Sequence, residues 1–182
     1  ALGITIGIAA LVGVLGLSAS GSADLIKDLD ALGTNLLTAK AGQGFATGET
    51  SLPDDAPAMV RRISPVYDVS TISRVSGSVY RNDLLDDGRT KGITIIAADL
   101  NLINVQRGTL KTGIYLTEVT SQFPIAVLGS VAAERLAIDD LSVKPRLWIG
   151  DQWFTVGGIL NPLPLAADLD RAAIIGYGSK NP

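Results

Sequence analysis

The first 23 residues, Ala1 to Ala23, carry no charged side chain, whereas four of the next eight do. A hydrocarbon core roughly 30 Å thick is crossed by about 20 apolar residues in a helix, so the run ALGITIGIAALVGVLGLSASGSA is long enough to span. Two other readings compete with that one. A signal peptide places a basic start ahead of about 7–15 apolar residues, but this run is longer and opens at Ala1 without a basic residue. A buried helix in a soluble core is the other, and the length argues against it. The expectation is a transmembrane helix over residues 1–23, in a chain cut from a longer protein. Gly3 and Gly7, like Ala9 and Gly13, have the small-residue spacing that lets helices approach closely in lipid, a pattern common in hydrophobic helices.

No turn signal separates this run from Asp24-Leu25-Ile26-Lys27-Asp28-Leu29-Asp30. Leu25, Ile26, Leu29 and Leu32 recur at helical spacing and form one apolar stripe. Gly33 is a favourable residue just past a helix end. The expectation is a stalk helix over 24–33 that continues the span into water, followed by an extracytoplasmic domain over 34–182.

Composition narrows what that domain can do. Of 182 residues, about 150 remain outside the span, enough for one or two compact domains. The hydrophobic fraction of 47% and mean hydropathy of +0.34 are inflated by the first run. A net charge of −3 and a pI near 4.8 argue against a nucleic-acid partner. There is no cysteine and no histidine. Disulfides, thiolate chemistry and the commonest general base and transition-metal ligand are therefore excluded together. A cysteine-free chain without an Asn-x-Ser/Thr sequon suits a bacterial extracytoplasmic domain better than a small animal secreted one.

Along the rest of the chain, Thr34–Lys40 reads as a strand and Gly42–Ser51 as a glycine-rich loop. A helix is expected from Asp54 to Ile63, capped by Asp54 or Asp55 and ended by Pro65. Val69, Thr71, Ser73 and Val75 alternate as in a strand. Asp86-Asp87-Gly88 looks like a hairpin turn joining the runs Val79–Leu85 and Lys91–Ala98. Asp99–Val105 is a short helix or turn. Pro124 opens a buried strand, Ile125–Leu128, that passes through Gly129-Ser130 into a helix over 131–136. A hairpin pairs Arg146–Ile149 with Trp153–Leu160, and Ala172–Ile175 is a last strand. Helices and strands mix without βαβαβ alternation, so the fold class is α+β.

The motifs offer little chemistry. The loop glycines Gly42, Gly44 and Gly48 lack both the Gly-Lys-Ser/Thr of a P-loop and G-x-G-x-x-G spacing. Asp54-Asp55, Asp86-Asp87 and Asp139-Asp140 sit where Asp caps backbone N–H groups, and adjacent carboxylates point apart. Asp168, Asp170 and Asn161 could approach a cation, but no D-x-D-x-D-G loop is present. Gly129-Ser130 lacks the G-x-S-x-G elbow and a His base. A Ser–Lys pair would have to use one of Lys27, Lys40, Lys91, Lys111, Lys144 or Lys180, none singled out. Trp148 and Trp153 flank a turn as hairpin packing residues. No catalytic, cofactor-binding or metal-ligating residue is assigned.

Three segments in order resemble a known family. Leu32-Gly33-Thr34-Asn35-Leu36, closing the Gly- and Ile-rich start, resembles the stalk end of MacB-like (type VII) ABC transporter permeases. Ala126-Val127-Leu128-Gly129 followed by Ala132-Ala133-Glu134-Arg135-Leu136 resembles that family's next element, and Ile149 to Leu160 its closing hairpin. Val143-Lys144-Pro145 stands where the family usually has a glycine. Residues 79–122 are short beside permeases that carry a large inserted lobe, and would be the place of a second lobe here.

The resemblance implies an extracytoplasmic core domain on a bacterial inner or cytoplasmic membrane. It implies no bound cofactor and no catalysis in this chain. Its partners would be an ABC ATPase subunit, a second permease copy, membrane lipid, and an adaptor or exported substrate. ATPase-driven motion would pass through the membrane helices to the outer domain, the arrangement called mechanotransmission. Leu25, Ile26, Leu29 and Leu32 would pair stalks in the dimer, and Gly33, Thr34, Asn35 and Leu36 would form the stalk-to-domain joint. The competing expectations are a single-span membrane-anchored sensor or binding domain, and, more remotely, an anchored Ser–Lys hydrolase.

Overall fold

The computed structural model describes residues 3, 7, 11–14, 16, 20, 36–42, 52–82 and 92–179. The chain divides into two units, Ala1–Leu36 and Leu37–Pro182. In the first, residues 3, 7, 11–14, 16 and 20 are helical. Leu11, Val12 and Val14 there are 63%, 62% and 69% exposed. Among the described residues no helix is long and apolar enough to cross a membrane. Most of the expected span, the whole stalk over 24–33, loop residues 43–51 and the Asp86-Asp87-Gly88 turn lie outside the described residues.

The second unit is built on one mixed sheet of eight strands: β1 (Ile72–Val75), β2 (Val79–Tyr80), β3 (Thr94–Ala98), β4 (Leu110–Gly113), β5 (Ile125–Leu128), β6 (Arg146–Ile149), β7 (Gln152–Leu160) and β8 (Ala172–Gly176). Their order is β1-β3-β8-β5-β7-β6-β2, with β4 pairing beside β6 on β7. β3 runs parallel to β8 and β5 parallel to β7, while the other pairings are antiparallel. Among the described residues of this unit are four short α-helices: α1 (Ala56–Arg61), α2 (Leu102–Val105), α3 (Ser130–Leu136) and α4 (Ala167–Asp170).

Side chains alternate across a strand, so a strand covered on both faces must be apolar at every position. β8 meets that condition, with all five residues buried, and so do β5 and most of β3. Ile95, Ala97, Leu128, Phe154, Val156 and Ile175 face one apolar cluster, closed by Ala132, Ala133 and Leu136 of α3. Ile96, Ala98, Val127, Leu160 and Ile174 face the other, closed by Leu102 of α2, Leu116, Leu163 and Leu169 of α4. Burying one such aliphatic side chain contributes about 1.5–3 kcal/mol. The sheet therefore has two cores, and β8 and β5 share both.

Several local expectations need correction. Residues 36–40 lie outside any strand, and Leu37 is 92% exposed, so nothing supplies Thr34–Lys40 with a pairing partner in its described part. In their described parts, Val79–Leu85 and Lys91–Ala98 are not paired with each other. β2 pairs with β6, Val79 opposite Ile149, and β3 lies between β1 and β8. The physical reason is that β3 is apolar on both faces and belongs inside the sheet. Asp55 occupies the cap position of α1, yet its side chain makes no capping bond.

The β6–β7 hairpin forms, with its turn one residue shorter than expected. Ile149 pairs with Gln152, leaving Gly150 and Asp151 as the whole loop. Both have positive φ, +51° and +68°, as a two-residue type I′ connection requires. Trp148 and Trp153 face each other directly across it, edge to face, with ring centroids 5.3 Å apart.

Candidate functional site

The positions on which the sequence reading placed most weight are largely outside the described residues. That holds for Leu25, Ile26, Leu29, Leu32, Gly33, Thr34 and Asn35. Leu36 is described: it is half-buried, lies in no helix or strand, and ends the first unit.

The paired carboxylates that are described serve turns and surface contacts. Asp140 accepts the Ser142 amide at 3.0 Å and the Ser142 hydroxyl. Those two bonds, the hydroxyl first, hold its carboxyl below the ordinary carboxylate range. Asp139 meets Lys111 at 3.6 Å. Asp54 and Asp55 lie in the exposed turn before α1. The three residues considered for a cation are each engaged elsewhere. Asp168 pairs with Arg74 at 3.2 Å, Asn161 donates to the Thr109 hydroxyl at 2.8 Å, and Asp170 is buried in a bond network of its own. Among the described residues no group of three or more His, Cys, Asp or Glu could hold a metal ion.

A half-open groove of about 450 Å³ lies between α3, β4 and the end of β7. Ser130 and Lys111 both line it, which brings the Ser–Lys idea to a geometric test. The Ser130 hydroxyl donates to Asp170 Oδ1 at 3.1 Å, and the Lys111 ammonium is turned to Asp139. A serine nucleophile needs its proton taken by a base within hydrogen-bond reach. Here that proton is directed to a structural carboxylate, and the ammonium is held by another carboxylate.

Asp170 is the buried centre of this region. Besides Ser130 it accepts the Leu163 N–H through both oxygens, at 3.0 and 3.2 Å. It thereby ties the entry of α3, the loop after β7 and the end of α4 to one point. Gly129 belongs to the same junction: a Cβ there would overlap the carbonyl oxygens of Leu169 and Asp170. No sequence signal pointed to Asp170 as a knot, because its partners are distant in the chain.

A second polar network lies at the end of the sheet where β3 and β8 finish. The Tyr177 hydroxyl donates to Thr71 Oγ1 at 3.1 Å, and the Thr71 hydroxyl and N–H both donate to Asp99 Oδ2 at 2.7 Å. Asn101 donates to Asp68 Oδ1 at 2.8 Å and to the Val69 carbonyl at 3.0 Å. Ser179 donates to the carbonyls of Ser121 and Phe123. Burial pushes the Tyr177 phenol up, and the Asp99 charge adds to that against the Thr71 bond. Burial raises Tyr115 more strongly, Asp99 again adding to it, and the Tyr115 hydroxyl has no hydrogen-bond partner among the described residues. These contacts fasten chain segments together, and none presents an activated group to solvent.

Ahead of Asp68, the chain presents apolar side chains to solvent. α1 has no buried residue, and Met59, Ile63 and Tyr67 are 57%, 56% and 99% exposed.

Fold and site together define a mixed α+β scaffold domain, one sheet with a core on each face and polar networks around Asp170 and Asp99 that join distant segments. The chain belongs to the MacB-like periplasmic core domain family, whose model matches residues 1–179. That is an extracytoplasmic domain of ABC-type transporter permeases. Among solved structures, the periplasmic region of MacB from Actinobacillus actinomycetemcomitans is similar with a TM-score of 0.62 and 17% identity, over 86% of this chain and 71% of that one. The extracellular domain of the noncanonic ABC-type transporter YknZ from Gram-positive bacteria gives 0.51 and 14%, over 69% of this chain and 63% of that one. At these identities the likeness is one of fold. No curated protein matches the chain significantly.

Proposed function

We infer that this chain is the first membrane helix and outer domain of a permease subunit, and that it couples ATPase-driven motion to export or extraction of a substrate. The domains run as 1–23 for the span, 24–33 for the stalk and 34–182 for the outer domain. An ABC ATPase subunit supplies the energy, and a second permease copy completes the transporter in a bacterial inner or cytoplasmic membrane.

The observation that carries this reading is the family match over residues 1–179, which takes in the uncharged start as well as the sheet. Two physical features support it. Residues 11–14 are helical, and Leu11 and Val12, about 100° apart around a helix, are both exposed, as is Val14. A helix that is apolar all round needs an apolar surround, a protein core or a bilayer. The outer unit, for its part, is one sheet fastened at Asp170 and Asp99, so a displacement applied to it moves it as a body. Coupling then needs two arrangements of the dimer that ATP binding favours differently.

Leu25, Ile26, Leu29 and Leu32 pair the stalks, and Gly33, Thr34, Asn35 and Leu36 form the joint. The experiment is a break in the stalk: Leu29→Pro in the assembled transporter should leave ATP hydrolysis running and stop transport.

A further inference from the structure

α2, α3 and α4 each bury apolar residues against the sheet, whereas α1 buries none. It is nevertheless fastened to the outer domain. Arg61 donates to the Val69 carbonyl at 3.3 Å, and Asn101 holds Asp68 and Val69 from beyond the end of β3. The exposure of Met59, Ile63 and Tyr67 is therefore part of the folded arrangement. Main-chain bonds from Ile63 to Val60 and from Val66 to Ile63 carry the turns past Arg62, so spacings of three and four place Met59, Arg62 and Ile63 on one face. Arg62 takes part in no ion pair among the described residues. Asp54 and Asp55 lie at the opposite end of α1, and Asp68 is engaged by the Val69 N–H and Asn101. One end of α1 thus offers aliphatic and thioether side chains, an exposed phenol and an unpaired guanidinium. That combination suits the edge of a bilayer, where apolar groups meet acyl chains, tyrosine sits at headgroup level and arginine meets anionic lipid.

We propose that the segment from Met59 to Tyr67 rests on the surface of the bilayer that residues 1–23 cross, with Met59 and Ile63 at the acyl-chain boundary, the Tyr67 ring among the headgroups and Arg62 beside lipid phosphate. The proposal rests on the reading of residues 1–23 as a span. Size and tethering select lipid over a protein partner. A stable protein interface takes about 20–30 residues a side, far more than this patch offers. A domain anchored in a bilayer meets that bilayer at high effective concentration, so a small patch suffices. The chain is long enough to return. Met59 follows Ala23 by 36 residues, a contour of at most about 120 Å, against about 15 Å for a helical stalk over 24–33. Charge sets the orientation: anionic lipid repels Asp54 and Asp55 and attracts Arg62, so the Ile63 end of α1 goes down.

The chain has no cysteine, so a single introduced one takes a bimane label in the full chain. Ile63→Cys, Leu11→Cys and Val143→Cys are each reconstituted in vesicles of phosphatidylcholine and phosphatidylglycerol, three to one. The Ile63 label should be quenched by lipid nitroxides near the headgroup and shielded from aqueous iodide. The Leu11 label should be quenched by nitroxides deep in the acyl chains. The Val143 label, at a position 81% exposed in the loop before β6, should be quenched by iodide alone. Omitting phosphatidylglycerol, or adding Arg62→Gln in its presence, should each lower the docked-to-free ratio of the Ile63 label about fivefold. The near-ultraviolet dichroism of the Trp148–Trp153 pair checks that each variant folds. An Ile63 label open to iodide, with the Leu11 label in the acyl chains, overturns the docking and spares the span. A Leu11 label in water overturns the span and the docking with it. An Ile63 label shielded from iodide and from lipid nitroxides alike means that protein covers this face, a second copy included, and overturns the proposal. Docking indifferent to phosphatidylglycerol overturns it as well.

Discussion

The Ser130 hydroxyl donates to Asp170 across 40 residues of chain, joining the start of α3 to the end of α4 at 3.1 Å. Asp170 also takes the Leu163 N–H, so its removal leaves a buried amide and a hydroxyl without their acceptor. An unsatisfied buried polar group costs about 1–3 kcal/mol. Asp170→Ala is therefore expected to lower unfolding free energy by about 2–4 kcal/mol and Ser130→Ala by about 1 kcal/mol. Urea midpoints of the outer domain measure both, and equal effects would show that the Leu163 bond adds nothing.

The β6–β7 turn makes a different demand. Asp151 has φ +68° and Gly150 has φ +51°, a region that β-branched residues occupy at a cost of about 1–2 kcal/mol. Asp151→Val should destabilise by that amount, whereas Asp151→Gly should stay within about 0.5 kcal/mol of the parent. The near-ultraviolet dichroism of the Trp148–Trp153 pair, sensitive to the 68° angle between the rings, should survive in the glycine variant. Loss of that signal in Asp151→Gly would refute the turn assignment.

Tyr115 yields a prediction of opposite sign. Its hydroxyl is buried and has no partner among the described residues, so Tyr115→Phe should raise stability by about 1 kcal/mol. The phenols of Tyr115 and Tyr177 are both raised above their ordinary value of 10.0. Folding thus favours their neutral forms. Their contribution is complete below pH 10, the unfolded value, and is lost as pH rises from there through the folded values. In a tyrosinate absorbance titration, two phenols should ionise late, one of which disappears in Tyr115→Phe. That variant should also lose less stability above pH 10 than the parent.

What the sequence made legible was local. The continuous apolar runs of β5 and β8 announce strands covered on both faces, and Gly150-Asp151 between two aromatic-rich runs announces a hairpin. The alternation of Val69, Thr71, Ser73 and Val75 recurs as half-burial at those four positions. Long-range pairing was not legible. Asp86-Asp87-Gly88 looks like a turn between neighbours, yet β2 finds β6 and β3 finds β8, choices decided by which faces must be buried. The two polar fastenings were hidden for the same reason: Thr71 and Asp99 are 28 residues apart, and Ser130 and Asp170 are 40. The groove went unread because Lys111, Glu134 and Asn161 converge only once β4, α3 and β7 are in place.

The central claim is that the uncharged start and the stalk act as one lever for the outer domain. Proline in a helix interior removes a hydrogen bond and costs about 3 kcal/mol, so Leu29→Pro breaks the lever while Leu29→Ala, which keeps the helix, controls for the lost side chain. Reconstitute the full permease with its ATPase, and record ATP hydrolysed and substrate moved in the same vesicles. The lever predicts hydrolysis within about twofold of the parent in both variants, with transport lost in Leu29→Pro and largely kept in Leu29→Ala. Unimpaired transport in Leu29→Pro would contradict it.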